Sequence, residues 1–380
     1  MLESVVTSVS GLGALLGLLS LLKVRRVLKE HAAPNYSTEL EREADIDLPS
    51  VSICIPARNE RRALVACLDA VLASTYERQE VIVLDDVSGD DTSALIKSYA
   101  SEGVRFVKGA PLKQGWLGKN HALQGLLDEA SGTYILYIDV DTRLKPHSVE
   151  HLVRYALSHR LDMLSVLPRR EDGWRGSVIW SPLRYFWSVL FYSNKHAATS
   201  SSAWIIRRDV LKEQFGGFME TATLVQPEQR FADSLQAKNR YRYLIGTANF
   251  GVGYEKKWRS QLLTSVRTIV PSFQGSLLMA LLGIVGLCVL ILPSAIITYY
   301  LLGTHFSTTD IIIAGISMAL WWATYATYAH FVWRRGWWAG TIVWPLLLIQ
   351  QIALIFASIY AYSFNRLEWK GRPIRPQAEN

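Results

Sequence analysis

Four stretches of this chain carry no Asp, Glu, Lys or Arg: Val5 to Leu22, Thr268 to Thr309, Ile311 to Trp333 and Gly336 to Asn365. Each is long enough for a membrane span, which takes about 20 apolar residues. Helices this long and this apolar have no place in the core of a small soluble domain. The first stretch lacks a basic flank ahead of it and is followed instead by Lys23, Arg25, Arg26 and Lys29, the order of a retained anchor rather than a cleaved signal. By the positive-inside rule those cations keep the next part of the chain in the cytosol. The expected organisation is a transmembrane anchor with its basic flank (1–30), a cytosolic domain (31–253), an amphipathic interfacial helix (254–274), a C-terminal membrane region of about three segments (275–365) and a basic tail (366–380).

The cytosolic part alternates strand and helix patterns. After a polar segment of mixed charge from His31 to Asp47, read as a linker lying on the domain, Val51 to Pro56 reads as a strand. Glu60 to Ala73 then has Leu64, Cys67, Leu68 and Val71 at helical spacing, and Glu80 to Leu84 is a second strand. Asp90–Ala100 and Val104–Val107 repeat the pair, and Lys119–Ala130 leads into a strand at Tyr134–Ile138. Pro146–Ser158 and Asp162–Leu167 follow as helix and strand. Such alternation specifies an α/β fold with a mostly parallel sheet and helices on both faces.

The strand at 134–138 runs into Asp139-Val-Asp141. Two carboxylates two residues apart leave a strand on the same side, where both can face a divalent cation or divide between a metal and a sugar hydroxyl. Hard ions such as Mg²⁺ or Mn²⁺ suit these ligands and bridge phosphates. Three further clusters fall at strand ends, where open α/β sheets bind ligands: Pro56-Ala-Arg-Asn-Glu60, Asp85-Asp-Val-Ser-Gly-Asp-Asp-Thr92 and Gly115-Trp-Leu-Gly-Lys-Asn-His-Ala-Leu123. Taken singly, Asn59, Asp90 and Asp91 also suit helix caps, and Gly115 and Gly118 suit turns.

The remaining composition excludes more than it proposes. Cys54, Cys67 and Cys288 have no metal or disulfide spacing, which is compatible with a reduced compartment. The net charge of +7 comes without an aromatic-basic recognition module for nucleic acid, and attraction to anionic headgroups accounts for it.

The order of Pro56-Ala-Arg-Asn-Glu60, Asp85-Asp86 with its Asp-Asp-Thr tail, Lys119 with the following Ala-Leu, and Asp139-x-Asp141 resembles that of family 2 glycosyltransferases. The Gly115-Trp-Leu-Gly-Lys119 element is similar to one in the hopene-associated and carotenoid glycosyltransferase groups. The resemblance implies a GT-A nucleotide-sugar-binding domain with transmembrane helices at both ends. Pro56, Asn59, Glu60 and Asp86 would hold the nucleoside, with Asp85 beside them. Lys119 would approach the donor diphosphate or ribose, Asp139 the ribose, sugar or metal, and Asp141 the metal, Mg²⁺ or Mn²⁺.

In the family the catalytic carboxylate usually belongs to a Glu-Asp pair two residues before a Leu-Ala pair that opens a helix. Here Val225-Gln-Pro-Glu-Gln-Arg-Phe-Ala232 puts Pro227 and Glu228 at those positions. Glu228 is the expected base for deprotonating an acceptor; its other reading is a first-turn glutamate that complements the helix dipole. The aromatics between Arg169 and Ser202, including Trp174, Trp180 and Phe186, read as core, with lipid or sugar contact as the alternative.

Lys256, Lys257, Arg259 and Arg267 flank an amphipathic segment expected to lie among headgroups and steer a lipid acceptor. The Gln-x-x-Arg-Trp sequence of processive polysaccharide synthases in the family does not occur in this chain. Charge parity of the C-terminal segments leaves three topologies. The last segment, with Pro345 and Gln350-Gln351, re-enters or lies along the interface; or the second stretch folds at Pro293 into a hairpin; or the basic tail, Arg366 to Arg372, lies outside.

The function implied is inverting transfer of a sugar from a nucleotide-sugar to a lipid, terpenoid or polyprenyl, at the cytosolic face of the plasma (inner) membrane. Chain elongation of a polysaccharide, and nucleotide-sugar binding without turnover as a subunit of an assembly, are the alternatives.

Overall fold

The computed structural model describes residues 2–34, 47–172, 176–193, 196–333 and 335–373. Most of the expected linker, Trp174, Arg334 and the end of the tail lie outside the described residues. In chain order the helices are α1 Leu2–His31, α2 Arg61–Leu72, α3 Thr92–Ser98, α4 Gly118–Glu129, α5 Ser148–Ser158, α6 Gly176–Ile179, α7 Arg184–Leu190, α8 Pro227–Gln236, α9 Trp258–Ser272, α10 Leu277–Leu301, α11 Thr308–Val332, α12 Trp337–Ile342 and α13 Trp344–Ser363. The strands are β1 Val51–Ala57, β2 Gln79–Asp85, β3 Val104–Lys108, β4 Tyr134–Ile138, β5 Thr142–Leu144, β6 Met163–Leu167, β7 Arg169–Arg170, β8 Ala203–Arg207, β9 Tyr241–Ile245, β10 Val252–Tyr254, β11 Glu368–Trp369 and β12 Arg372–Pro373.

The chain divides into two compact units. A sheet unit comprises His31–Glu171, Ser193–Glu255 and Glu368–Asn380, and a helical unit comprises Met1–Glu30, Asp172–Tyr192 and Lys256–Leu367. Two segments therefore fall differently from the sequence reading: 172–192 joins the helical unit, and the tail joins the sheet unit.

The sheet unit holds a seven-stranded sheet in the order β3-β2-β1-β4-β8-β6-β9. Neighbours are parallel except at β8, which runs antiparallel to both β4 and β6. Parallel strands covered on both faces read as unbroken apolar runs, and every residue of β4 is buried. Ile53, Ile55, Leu136 and Ile138 pack in one core with Leu64, Cys67, Leu68 and Val71 of α2. The chain steps outward from β1 to β3 and then returns through α4 to place β4 on the other side of β1. Loops leaving β1 and β4 thus diverge and open a crevice at the carboxyl ends of the strands. A small sheet, β5-β10-β7, was not expected; its strands are two or three residues long, too short for a periodicity to register.

In the helical unit, α1, α10, α11 and α13 are long and apolar enough to cross a membrane. Helices α1 and α11 run parallel along a seam of small residues. A Cβ on Gly13 would come within 2.7 Å of Ser317 Oγ, and one on Gly17 within 3.0 Å of Leu320. This closeness lets Trp321 Nε1 donate to the Gly13 carbonyl at 3.1 Å and Thr324 Oγ1 to that of Gly17 at 3.3 Å, packing typical of helices in lipid. At one end of the seam the Asp310 carboxylate accepts from Thr7 Oγ1 and from Ser307 Oγ. Outward leucines such as Leu15, Leu19, Leu278 and Leu282 are exposed.

Helix α10 continues unbroken through Pro293, so the hairpin alternative is not the path taken. Helix α13 has Pro345 in its first turn and runs on past Gln350-Gln351. It packs along α9, whose Val270 N–H donates to Ser358 Oγ at 3.1 Å. Phe186 is fully buried against Tyr325, Tyr328 and Trp344, the core role expected for that aromatic run, whereas Phe191 is exposed.

Candidate functional site

The loops after β1 and β2 are knitted together by backbone-directed side chains. Asn59, in a left-handed conformation (φ 51°), accepts the Gly89 N–H at 2.8 Å and donates its own N–H to Ser88 Oγ at 3.0 Å. The Glu60 N–H reaches Thr92 Oγ1 at 3.0 Å. Arg58 Nη1 donates to the carbonyls of Asp86 and Val87 at 2.5 and 2.8 Å. Pro56 lies within β1, in register with Leu84. Asn59 is thus a latch between two loops, and Asp90, accepting from the Thr92 N–H at 3.0 Å, serves the start of α3 as its bland reading had it.

Asp85 and Asp86 are adjacent but differently employed. The Asp85 carboxylate accepts the Ser88 N–H at 3.3 Å, and its carbonyl accepts that of Gly109 at 2.8 Å. A Cβ on Gly109 would sit 2.7 Å from that carbonyl, so the close approach requires glycine. Asp86 is buried, with both carboxylate oxygens accepting from Arg372 Nη1 at 2.9 and 2.7 Å. Burial raises its pKa above the usual carboxylate value, while Arg372 and then Arg58 and His121 pull it back. His121 is pushed the other way by burial, below its ordinary value, with the Asp86 charge opposing.

Asp139 and Asp141 flank the buried Val140 and are both partly exposed; they lie just past the end of β4, in the turn to β5 where the Thr142 N–H donates to the Asp139 carbonyl at 2.9 Å, so the turn and not strand alternation places them. Lys119 Nζ donates to Asp139 Oδ1 at 2.7 Å. Beneath them the Cys67 thiol is pushed up to about 12, by burial first, with Asp141, Asp139 and Glu60 adding to it against Arg143. Three of the expected carboxylates therefore act on one point of the sheet rim. Among the described residues no group of three or more His, Cys, Asp or Glu side chains could hold a metal. An ion that takes one or two carboxylates and completes its shell with phosphate and water fits such a pair; an all-protein cage does not.

Helix α4 ties this rim to the segment before α8. Lys119 turns to Asp139, whereas the Asn120 side-chain amide donates to the carbonyls of Thr221, Ala222 and Leu224 at 2.8, 3.1 and 2.8 Å. One turn on, Gln124 Oε1 accepts the Phe218 N–H at 2.8 Å, beside Gly216 and Gly217, whose positive φ angles of 64° and 75° make the turn. Pro227 opens α8 and Glu228 follows, 1% exposed.

Arg58, Asn120, His121, Gln124, Lys370 and Arg372 are the side chains at this rim to which the sequence reading gave no role. Asn120 and His121 sat inside a quoted motif. Lys370 and Arg372 lie in a quoted tail, but its partner Asp86 is 286 positions away, a separation no local pattern reports.

Residues 52–215 match the family model described as glycosyl transferase family 2. Over 121 residues the chain is 35% identical to a 4,4'-diaponeurosporenoate glycosyltransferase of Staphylococcus aureus, covering 31% of this chain and 32% of that protein. Over 133 residues it is 32% identical to an undecaprenyl-phosphate 4-deoxy-4-formamido-L-arabinose transferase of Aeromonas hydrophila, covering 34% and 40%. The matched stretch is thus well under half of either relative's length. In fold, the chain is similar to a mannosyltransferase of Pyrobaculum calidifontis solved with GDP-Man and Mn²⁺, with a TM-score of 0.54 at 16% identity over 95% of this chain and 98% of that one. Residues 52–215 are thus similar to family 2 glycosyltransferases, and the mostly parallel sheet with its apolar helices shares the GT-A fold of that mannosyltransferase.

Proposed function

We propose that this protein transfers a sugar from a nucleotide-sugar to a hydroxyl or carboxyl of a membrane lipid, with inversion at the anomeric carbon. The observation that carries the reading is the Asp139-x-Asp141 pair at the sheet's switch point, with Lys119 set against Asp139 at 2.7 Å. The relatives' names point the same way, since those proteins act on a carotenoid acid and a polyprenyl phosphate. Asp86 and the loop at Pro56, Asn59 and Glu60 would receive the nucleoside, with Asp85 shaping the turn beside it. Asp139 and Asp141 would hold Mg²⁺ or Mn²⁺, which supplies charge neutralisation at the diphosphate when bound. Lys119, paired with Asp139 at 2.7 Å, adds positive charge where the leaving group develops negative charge.

Glu228 is the proposed base, taking the acceptor's proton as the oxygen attacks. Glu228 is 1% exposed in the first turn of α8, shortly after the 221–224 segment that Asn120 holds.

The sheet unit is proposed to face the cytosol. Helices α1 and α11 run parallel, so the ends of both lie on one side, where Lys23, Arg25, Arg26 and Arg335 cluster. The chain then leaves α13 for a tail that belongs to the sheet unit. The tail Arg366 to Arg372 is basic as well, so by the positive-inside rule helix α13, unbroken from Trp344 to Ser363, starts and finishes on that same side as an interfacial helix packed along α9. Single cysteines in a Cys288→Ser background test this: His305→Cys is expected to react with an impermeant maleimide in spheroplasts, while Arg335→Cys and Asn365→Cys react only after lysis. External labelling of Asn365→Cys would sink the α13 assignment.

Release of nucleoside diphosphate from a panel of nucleotide-sugars, by detergent-purified protein with polyprenyl phosphate or total lipid extract and Mg²⁺ or Mn²⁺, tests the activity. Release that needs both lipid and metal and disappears in Asp141→Asn supports transfer. Metal-dependent nucleotide binding with no release from any donor would overturn it.

A further inference from the structure

The C-terminal hairpin β11–β12 rests on both loops assigned to the nucleoside and on the start of α4. Lys370 Nζ pairs with Glu60 at 2.5 Å, and Arg58 Nε donates to the Lys370 carbonyl at 3.2 Å. Arg372 pairs with both oxygens of Asp86. Over the start of α4 the hairpin comes so near that a Cβ on Gly118 would meet Arg372 Nη1 at 2.8 Å and the Trp369 ring at 3.2 Å. A side chain there would displace the Arg372 guanidinium.

The hairpin's own geometry is held against local preference. Trp369 and Arg372 are in register across a two-residue turn whose central residues, Lys370 and Gly371, have φ 51° and 76°. Such a turn favours Asn-Gly or Gly-Gly; a lysine at its first position is strained. Val87, beside Asp86, is likewise left-handed at φ 55°, an outlier for a β-branched residue. Strain of this sort concentrates at ligand clamps, where surrounding contacts hold it. The contact that holds Lys370 is its ammonium on Glu60.

Two cations seated on carboxylates of the proposed nucleotide site have an evident second use. Asp86 is 1% exposed, so a base N–H gains this carboxylate only as Arg372 releases it, and a released guanidinium then faces a nucleotide bearing two phosphates. We propose that Lys370 and Arg372 are donor-binding residues: the hairpin holds Asp86 and Glu60 in place when the site is empty, and its two cations transfer to the donor's diphosphate when the base takes Asp86. The proposal rests on the nucleotide-sugar reading of the site.

Calorimetric titration of the full-length protein in detergent and Mg²⁺ with UDP, GDP, uridine and guanosine separates the two. The quantity read is the ratio of diphosphate to nucleoside affinity for whichever base binds. Arg372→Ala is expected to lower that ratio at least tenfold, Lys370→Ala to lower it less, and Arg372→Lys to restore part of it. Nucleoside affinity itself should hold or rise in Arg372→Ala, because Asp86 is released. An unchanged ratio, or equal tightening of diphosphate and nucleoside, would show that the hairpin only blocks the pocket and would overturn the proposal. If Arg372→Ala binds neither ligand, the ratios of Lys370→Ala and Arg372→Lys decide by the same criterion. Wild type that binds no diphosphate overturns the donor-site reading and the hairpin's role with it.

Discussion

Asp86 in the sheet unit and Asp310 in the helical unit are both buried carboxylates, and their surroundings differ in kind. Asp310 accepts from two hydroxyls, those of Thr7 and Ser307, within a seam otherwise closed by glycines and a tryptophan indole. Its partners fix where α1 meets α11. Asp86 is held by a guanidinium from a distant hairpin and by loops in strained conformations. In apolar surroundings, hydrogen-bonded polar groups define packing. At the end of a buried sheet, where the apolar periodicity stops, charged partners that a ligand can replace define a binding site.

Four substitutions sharpen this contrast, from the largest effect to the smallest. Asp141→Asn is expected to reduce transfer by about 10²–10³-fold or more, as loss of a preorganised charge in a transition-state site does, while leaving the melting temperature within a few degrees of wild type. A parallel loss of melting temperature and activity would make Asp141 a structural residue like Asp310.

Asn120→Ala should act on both properties at once. It strips the side-chain donor from three carbonyls in the segment before Glu228. Unsatisfied buried acceptors cost about 1–3 kcal/mol each, so about 2–3 kcal/mol of stability should go, with a fall in kcat larger than any change in donor KM. Denaturant titration beside steady-state kinetics would show it; unaffected kcat would mean that the 221–224 segment does not position the base.

Gly17→Leu tests the other unit. Overpacking against Leu320 and Trp321 is expected to cost about 1–3 kcal/mol in detergent unfolding while leaving nucleotide affinity unchanged. Weakened nucleotide binding would mean that the two units are energetically coupled.

The smallest effect concerns Asp86→Asn. Burial raises the Asp86 pKa from 3.8, so the folded state prefers the protonated form. That contribution to stability is fully present below 3.8 and lost as pH rises through the folded value. At pH 7 the ionised group therefore counts against the fold. Asp86→Asn should melt slightly higher than wild type at pH 7, the gap narrowing as pH is lowered towards 3.8, even as nucleotide binding is lost. A lower melting point at pH 7 would mean that the pair with Arg372 outweighs desolvation.

Much of this architecture was legible in the chain itself. The strands β1 to β4 and their intervening helices lie where apolar runs and helical spacing put them, within a residue or two at the ends. The long α1, α10, α11 and α13 fall within or across the charge-free stretches, and Asp139 and Asp141 follow directly on the buried strand that ends at Ile138. These are local properties, because a period of 2 or 3.6 and a run length depend only on near neighbours. Family resemblance, also carried by local motifs, added the donor-side residues.

What only the tertiary structure decided is which distant groups meet. Nothing near Asn120 says that its amide will hold residues 221–224, and nothing in Gly118 says that the tail will lie on it. The path of α10 through Pro293 and the placement of 172–192 with the helices, like the seat of Lys370 and Arg372 on Glu60 and Asp86, belong to the same class. Such contacts are set by chain topology and by the burial of groups brought from far along the sequence. The amino-acid pattern alone determined that charge would gather at the ends of a buried sheet beside a membrane; the fold decided which charges face one another, since complementarity between partners hundreds of residues apart leaves no periodic trace in either.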